Sequence, residues 1–406
     1  MRGGNPMRKI ALIIFSLLAI FQHQIWLKSQ GASESLDLDG EIRKEMADQK
    51  IPSIAACIVK ANEIVWKRAY GYADLDNHIQ ATSETIYLLA SVSKLVVVTA
   101  VMQLAESGVI DIDEDISRYL PFPVRNSNYP DKKITARMLL THTSGIAGPE
   151  TDEELPGFYD WYPADSAPPL RETIIDYLLP GGLRYGPAVW KNIKPGQREL
   201  YSNLGATLLA YLVEFVSGED YSSYCKNHIF LPLEMPGTSH IVHDLDADKI
   251  ATWYIDNYAS IPHYTRRDYP AGQLKSSVDE FSHFLMAYMN GGEYKGKKIL
   301  NKSTIDEVLK IHNPASGVCL TWRCTIGNWY GHSGGVNGAS SYVEFQRQGK
   351  VGLILFANVF LGKGSTLLPP RGKIYSLLRK EANKFRSPNE TGSESYKKKL
   401  RDRYLR

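Results

Sequence analysis

The sequence predicts an α+β protein in which an antiparallel sheet, flanked by helices, is interrupted by an inserted, mainly helical lobe. Strand-like apolar stretches lie near both ends of the chain, at residues 51–60 and 63–74 and again at 342–345 and 351–356, while helix-like stretches fill the span between. Strands recruited from both termini require the intervening chain to leave the sheet and return. The composition allows this: 406 residues with 43% hydrophobic and 22% charged can bury a large core without disulfide or metal staples. The expected organisation is an N-terminal segment over 1–31, one domain over 35–385 with its helical lobe at roughly 110–270, and a basic, polar, disordered tail over 386–406.

Each element has its own signal. Arg2, Arg8 and Lys9 precede the apolar run Ile10–Phe21, too short to span a bilayer as a helix and of the length of an export signal's core. Ser29-Gln30-Gly31 offers a small-residue cleavage point, so residues 1–31 read as a signal peptide or an N-terminal anchor, and the protein as exported: periplasmic, secreted or membrane-anchored. Leu36–Lys50 suggests a helix, and IPSIAACIVK and EIVWKRAYGYAD suggest two strands. Ser91–Ser107 is apolar nearly all round, which indicates a buried helix stopped at Gly108. The region from 110 to 270 is rich in Pro, Gly and Tyr, with a helix at Leu204–Val216. Tyr342–Phe345 and Val351–Phe356 flank Arg347-Gln348-Gly349-Lys350 as a hairpin, and a helix near Lys373–Phe385 precedes the tail.

Charge and cysteine content narrow the function. Net charge is +3, but residues 371–406 carry 12 basic and 4 acidic side chains, so the rest of the chain is slightly acidic. That argues against a nucleic-acid-binding body and confines any membrane contact to the N-terminal segment or the basic tail. Cys57, Cys225, Cys319 and Cys324 form no disulfide framework. Cys57 reads as a buried small hydrophobe, and Cys319 and Cys324 pair only if a hairpin sets them opposite one another.

The residues able to carry chemistry fall into three groups. Ser91-Val92-Ser93-Lys94 puts a hydroxyl at a helix start, where unpaired N–H groups favour developing negative charge, and an amine one turn on, within reach of its proton. Ser91 is equally a good N-cap. Tyr201-Ser202-Asn203 leads into the helix at Leu204, so that Tyr201 and Asn203 can face one cleft, although Ser202 or Asn203 could simply cap that helix. Tyr330-Gly331-His332-Ser333-Gly334-Gly335 reads as a strand running into a turn, with glycines that let a backbone N–H approach a ligand closely.

In this order, SVSK, YSN and HSG resemble the motifs of the serine β-lactamase and penicillin-binding-protein family, most closely its class C-like branch of esterases and D-amino-acid peptidases. ITARMLLTHTSGI at 134–146, YPAGQLKSS at 269–277 and GHSGGVNG at 331–338 extend the resemblance over most of the chain. It implies a β-lactamase/transpeptidase-like fold with a cleft between sheet and helical lobe, and a serine hydrolase acting on a small ester, peptide or β-lactam with no cofactor and no metal. It also implies Ser91 as the acylated nucleophile, Lys94 and Tyr201 as the proton-transfer pair, Asn203 as a hydrogen-bond partner for the substrate's acyl side, and His332, Ser333, Gly334 and Gly335 as the substrate and oxyanion segment. The N–H groups of Ser91 and Gly335 would form the oxyanion hole. Which of Lys94 and Tyr201 is the base stays open: either needs its pKa lowered by ~3 from ~10, which burial can achieve for lysine.

The family's third motif begins with Lys, whereas here it begins with His332. An unperturbed imidazole is only about a quarter protonated at pH 7. Loss of that permanent cation weakens the expectation of β-lactam or D-Ala-D-Ala recognition and favours neutral esters or amides. His142 in THTSG reads as structural.

Rival readings fare worse. GHSGG also fits the G-x-S-x-G elbow with Ser333 as nucleophile, but no histidine follows His332, as that fold's chain order requires. A trypsin-like double barrel does not suit the helix-rich middle, and His240 and His243 form no HExxH. The alternatives that remain are β-lactamase or DD-peptidase activity, or a catalytically silent relative that binds through the same cleft. The aromatic residues Trp161, Tyr162, Trp190, Trp253, Tyr254, Tyr258 and Tyr264 either wall an acyl pocket or belong to the core.

Overall fold

The computed structural model describes residues 37–147, 155–362, 367 and 372–386. The expected export segment and the tail beyond Arg386 lie outside them. The chain divides into a unit of residues 1–45 and a unit of residues 46–406, and helix α1 (Leu38–Asp48) crosses the boundary.

The second unit is organised around a seven-stranded antiparallel sheet. Its strands are β1 (Ser53–Lys60), β2 (Glu63–Asp74), β3 (Ile79–Gln80), β4 (Arg323–Thr325), β5 (Trp329–Val336), β6 (Ala339–Gln346) and β7 (Val351–Ala357), in spatial order β4-β5-β6-β7-β1-β2-β3. The first and last strands in sequence therefore meet at its centre, with Cys57 opposite Ile354. Those central strands read SIAACIVK and VGLILFA and are buried almost throughout, as strands covered on both faces must be.

The longest of the further helices are α2 (Lys94–Glu106), α3 (Asn203–Ser217), α4 (Val278–Met289) and α5 (Lys373–Asn383). Register places α4 and α5 on opposite faces. The Cys57 thiol points at the Val278 carbonyl of α4, and Cys57, Ile354 and Val343 share a face. Glu344, one residue on, faces the other way and pairs with Arg379 of α5.

Helix α2 buries ten of its thirteen residues and ends where Gly108 takes a left-handed φ of 75°. Each fully buried Leu or Val of this kind contributes roughly 1.5–3 kcal/mol. The same core continues without a break from α2 into α3 and the α4 face of the sheet, through Leu95, Val98, Leu208, Leu212, Phe281 and Ile354. Ser202 caps α3 by accepting from the Gly205 N–H, and Gly218 ends it at φ 73°.

All four cysteines are free. The Cys319 thiol is turned inward to the Leu309 carbonyl, while Cys324 lies on the edge strand β4, so the pairing considered from the sequence does not form. Among the described residues no helix is long and apolar enough to cross a membrane.

Candidate active site

The residues preceding Ser91 are locked on every side. The Leu89 N–H donates to the Leu274 carbonyl, the Leu89 carbonyl accepts from the Ser341 hydroxyl at 2.5 Å, and the Ser93 hydroxyl donates to the Ala90 carbonyl at 2.6 Å. These contacts hold Ala90 at φ 45°, a left-handed conformation costly for a residue with a Cβ. Residues Ala90–Ser93 then form a 3-10 turn, and the α-helix begins only at Lys94. This differs from the expected helix start at Ser91. A 3-10 turn eclipses residues i and i+3, which sets Lys94 directly over Ser91. The helix cap falls on Ser93, so the Ser91 hydroxyl is not spent as a cap.

Lys94 is 1% exposed, and its Nζ donates to Ser91 Oγ at 3.1 Å and to the Ala271 carbonyl at 2.7 Å. Burial lowers its pKa to about 7, against the pull of Asp268 and with the help of Arg266. The Tyr201 ring lies 5.0 Å from Lys94 Nζ and 4.5 Å from the ring of His142. Burial raises the Tyr201 phenol above its ordinary value, offset in part by its interaction with the Ser91 hydroxyl and by Arg323. His142 accepts the Ser202 N–H on Nδ1 and supports Tyr201 from behind, as a structural residue would.

The third group comes in along β5. A Cβ on Gly334 would lie 2.5 Å from the Leu89 carbonyl oxygen and 2.7 Å from the Ser91 nitrogen, so only glycine lets the strand press against the Ser91 turn. Gly335 and Asn203 line one cavity of about 220 Å³ with Ser91. Ser333 is exposed and does not line it. His332 is 8% exposed and donates from Nδ1 to the Ser333 carbonyl at 2.7 Å. Burial, and next the charge of Lys94, lower its pKa to about 3, so the partial protonation expected from sequence is replaced by a neutral imidazole at pH 7.

Sequence reasoning missed Tyr159 and Arg266, which complete the cavity wall. Both flank a two-residue pairing of Tyr162–Pro163 with Tyr264–Thr265 that carries no sequence pattern. Arg266 forms two hydrogen bonds to the fully buried Asp268, at 2.9 and 2.6 Å, and its guanidinium lies 5.0 Å over the Tyr159 ring. The available signal was the charged triplet Arg266-Arg267-Asp268 directly before YPAG. Arg323 on β4, paired with Glu199, acts on both Tyr201 and His332. Arg323 and Arg266 thus bring positive charge near the site from other elements, while position 332 itself carries none at pH 7. None of the seven aromatic residues considered as an acyl wall lines the cavity; Trp190, Trp253, Tyr254 and Tyr264 are core. His240 is packed among Tyr221, Phe230 and Tyr269, and His243 pairs with Asp165.

A sheet built from both termini, helices on both its faces and a serine hydrogen-bonded to a buried lysine at its margin define the β-lactamase and penicillin-binding-protein class. The chain belongs to the beta-lactamase family, whose model matches residues 38–371. It is 28% identical to PbpX of Bacillus subtilis, which carries a provisional penicillin-binding-protein name, over 80% of this chain and 75% of that one. It is 24% identical to the protein flp of Staphylococcus aureus strain MRSA252, covering 79% of this chain but only 62% of flp. An octameric penicillin-binding protein homologue from Pyrococcus abyssi superimposes with a TM-score of 0.69 at 26% identity, covering 85% of this chain and 76% of that one. A class C beta-lactamase, at 17% identity, shares the fold with a TM-score of 0.67 over 86% of this chain and 96% of its own.

Proposed function

We propose that this protein is an acyl-enzyme-forming hydrolase of small esters or amides, of the carboxylesterase or D-amino-acid peptidase type. The observation that carries the reading is the Lys94 amine held 3.1 Å from Ser91 Oγ at a pKa of about 7. With its pKa lowered toward neutrality, the lysine is available in its unprotonated form near pH 7 and can take the Ser91 proton as Oγ bonds to the substrate carbonyl carbon. The N–H groups of Ser91 and Gly335 hold the developing oxyanion. The C–O or C–N bond breaks as a proton reaches the leaving group through Tyr201, and water then releases the acyl group by the reverse route. With its pKa raised, Tyr201 is a phenol at rest and suits the relay; Lys94 suits the base. Asn203 faces the acyl side. On the strength of its N-terminal segment we also place the protein outside the cytoplasm.

The test is a serine-reactive fluorophosphonate followed by intact mass and peptide mapping, with Ser91→Ala in parallel. One adduct, on Ser91, with turnover of an activated ester is expected. An adduct on Ser333 would overturn the assignment, and a folded protein with neither adduct nor turnover would be a silent binding relative.

A further inference from the structure

The cavity at Ser91 contains a guanidinium that the acyl-transfer steps do not use. Arg266 lines the same cavity as Ser91 and Asn203, with its side chain only 11% exposed. A guanidinium has five N–H bonds in a rigid fork. Two of them, on Nε and Nη2, are taken by Asp268, and among the described residues no acceptor meets the other three. Asp268 is fully buried and does not line the cavity, so it holds one edge of the guanidinium from outside and leaves the other edge to face a ligand. The Tyr159 ring packs against the guanidinium, its centroid 5.0 Å away. Among the described residues lining the cavity none is acidic. The cavity, of about 220 Å³ and open to solvent, suits a short acyl chain.

We propose that Arg266 is the acyl-side recognition group of this site and selects acyl chains that end in a carboxylate: the half-esters or half-amides of short dicarboxylic acids, of succinyl or glutaryl size. The proposal rests on the reading of Ser91 as the acyl acceptor and adds the substrate class. The geometry favours a carboxylate because it is planar, accepts two N–H bonds side by side and matches the free edge of the fork. Preorganisation by Asp268 and Tyr159 means little ordering remains to be done on binding.

A purely electrostatic role is the competing explanation, since Arg266 and Asp268 act in opposite directions on Lys94. That role would touch all substrates alike. The experiment therefore compares the p-nitrophenyl monoester of glutaric acid with the p-nitrophenyl ester of valeric acid, which has the same chain length and no charge. The wild type should prefer the glutarate ester. Arg266→Gln should lower its kcat/KM by about 10- to 100-fold more than that of the valerate ester, chiefly through KM. Arg266→Lys should restore part of the loss. Because Arg266→Gln strands the buried Asp268 carboxylate, the double variant Arg266→Gln/Asp268→Asn is measured beside it. Equal losses on both esters, or no wild-type preference, would overturn the proposal.

A second readout separates this proposal from the acyl-enzyme reading. Calorimetric binding of glutaric acid monoamide to Ser91→Ala should survive, and should disappear in Ser91→Ala/Arg266→Gln/Asp268→Asn. Retained binding with both esters inert would overturn the acyl-enzyme reading and leave Arg266 as the recognition group. Ester turnover with no monoamide binding would do the opposite.

Discussion

Two lysines of this protein are buried to the same degree on neighbouring elements, yet only one faces a serine. Lys94 and Lys275 are 1% and 0% exposed, and each donates to a backbone carbonyl at 2.7 Å, that of Ala271 and of His240 respectively. Lys275 lies on a short strand paired with Tyr87–Leu88, immediately before the nucleophile turn. Burial lowers both pKa values, to about 7 and about 8, with Asp165 holding Lys275 a little higher. Desolvation alone therefore makes a weakened lysine base and says nothing about use. What distinguishes Lys94 is the Ser91 hydroxyl at 3.1 Å, at the edge of a cavity.

The sharpest way to break this comparison is to remove each amine in turn. Ser91→Ala should reduce ester turnover to background and Lys94→Ala should reduce it by about 10³-fold or more, the upper range for a positioned base. Lys275→Met, which keeps the length and apolar stem, should change kcat/KM less than about threefold. Equal damage from Lys94→Ala and Lys275→Met, in variants that remain folded by circular dichroism, would mean that the two lysines act as one network.

The first half of that comparison was legible in the sequence because it is local. SVSK encodes its own geometry through an i, i+3 spacing, and α2 announces its burial by being apolar all round. The central strands were legible too, since SIAACIVK and VGLILFA are continuous apolar runs that only a sheet covered on both faces accommodates. The rest depends on side chains brought together across long separations. Nothing in the sequence says that Ala90 takes a left-handed φ, that the first turn is 3-10 and so hands the cap to Ser93, or that Tyr159 and Arg266 meet over a pairing two residues long. His332 was read as partly charged because its motif position is visible and its burial is not.

The second prediction uses pH, where the two lysines should differ in kind. Lys94 must be unprotonated to accept a proton, so kcat/KM should fall about tenfold per pH unit below about 7 and level off above it. A limb set by Lys275 would instead break near 8. The two lysines should also affect stability with the same sign. A folded-state pKa lowered from 10.5 to about 7 means that the unfolded chain binds the extra proton between those values, so stability rises with pH across that window and the penalty is complete below about 7. Lys94→Met should therefore stabilise the protein at neutral pH by at most about 5 kcal/mol, and Lys275→Met by at most about 3. Both gains should vanish above about pH 10.5, as read by urea denaturation across pH. A variant that is stabilised but inactive at Lys94, and stabilised but active at Lys275, separates the functional lysine from the structural one.

The smallest expected effect comes from His332→Lys, which would place a third amine beside the first. His332 is held neutral by burial and by Lys94, so the family's usual cation is missing at this position even at mildly acidic pH. Arg323 and Arg266 supply positive charge nearby, but each is tied to a carboxylate, Glu199 and Asp268. A lysine at 332 would meet the same desolvation and the same neighbour, so its own pKa would be depressed, and it would in turn press Lys94 lower. The acid-side fall in activity should then shift to lower pH, and reactivity toward penicillins relative to neutral esters should rise by about tenfold, the scale of one partly screened charge contact. Acylation rates for a penicillin and for a neutral p-nitrophenyl ester, measured on both proteins at pH 6 and pH 8, give that ratio directly. An unchanged ratio would show that the charge from Arg323 already serves this end of the cleft, and that the histidine is tolerated because a neighbouring strand, not its own, carries the cation.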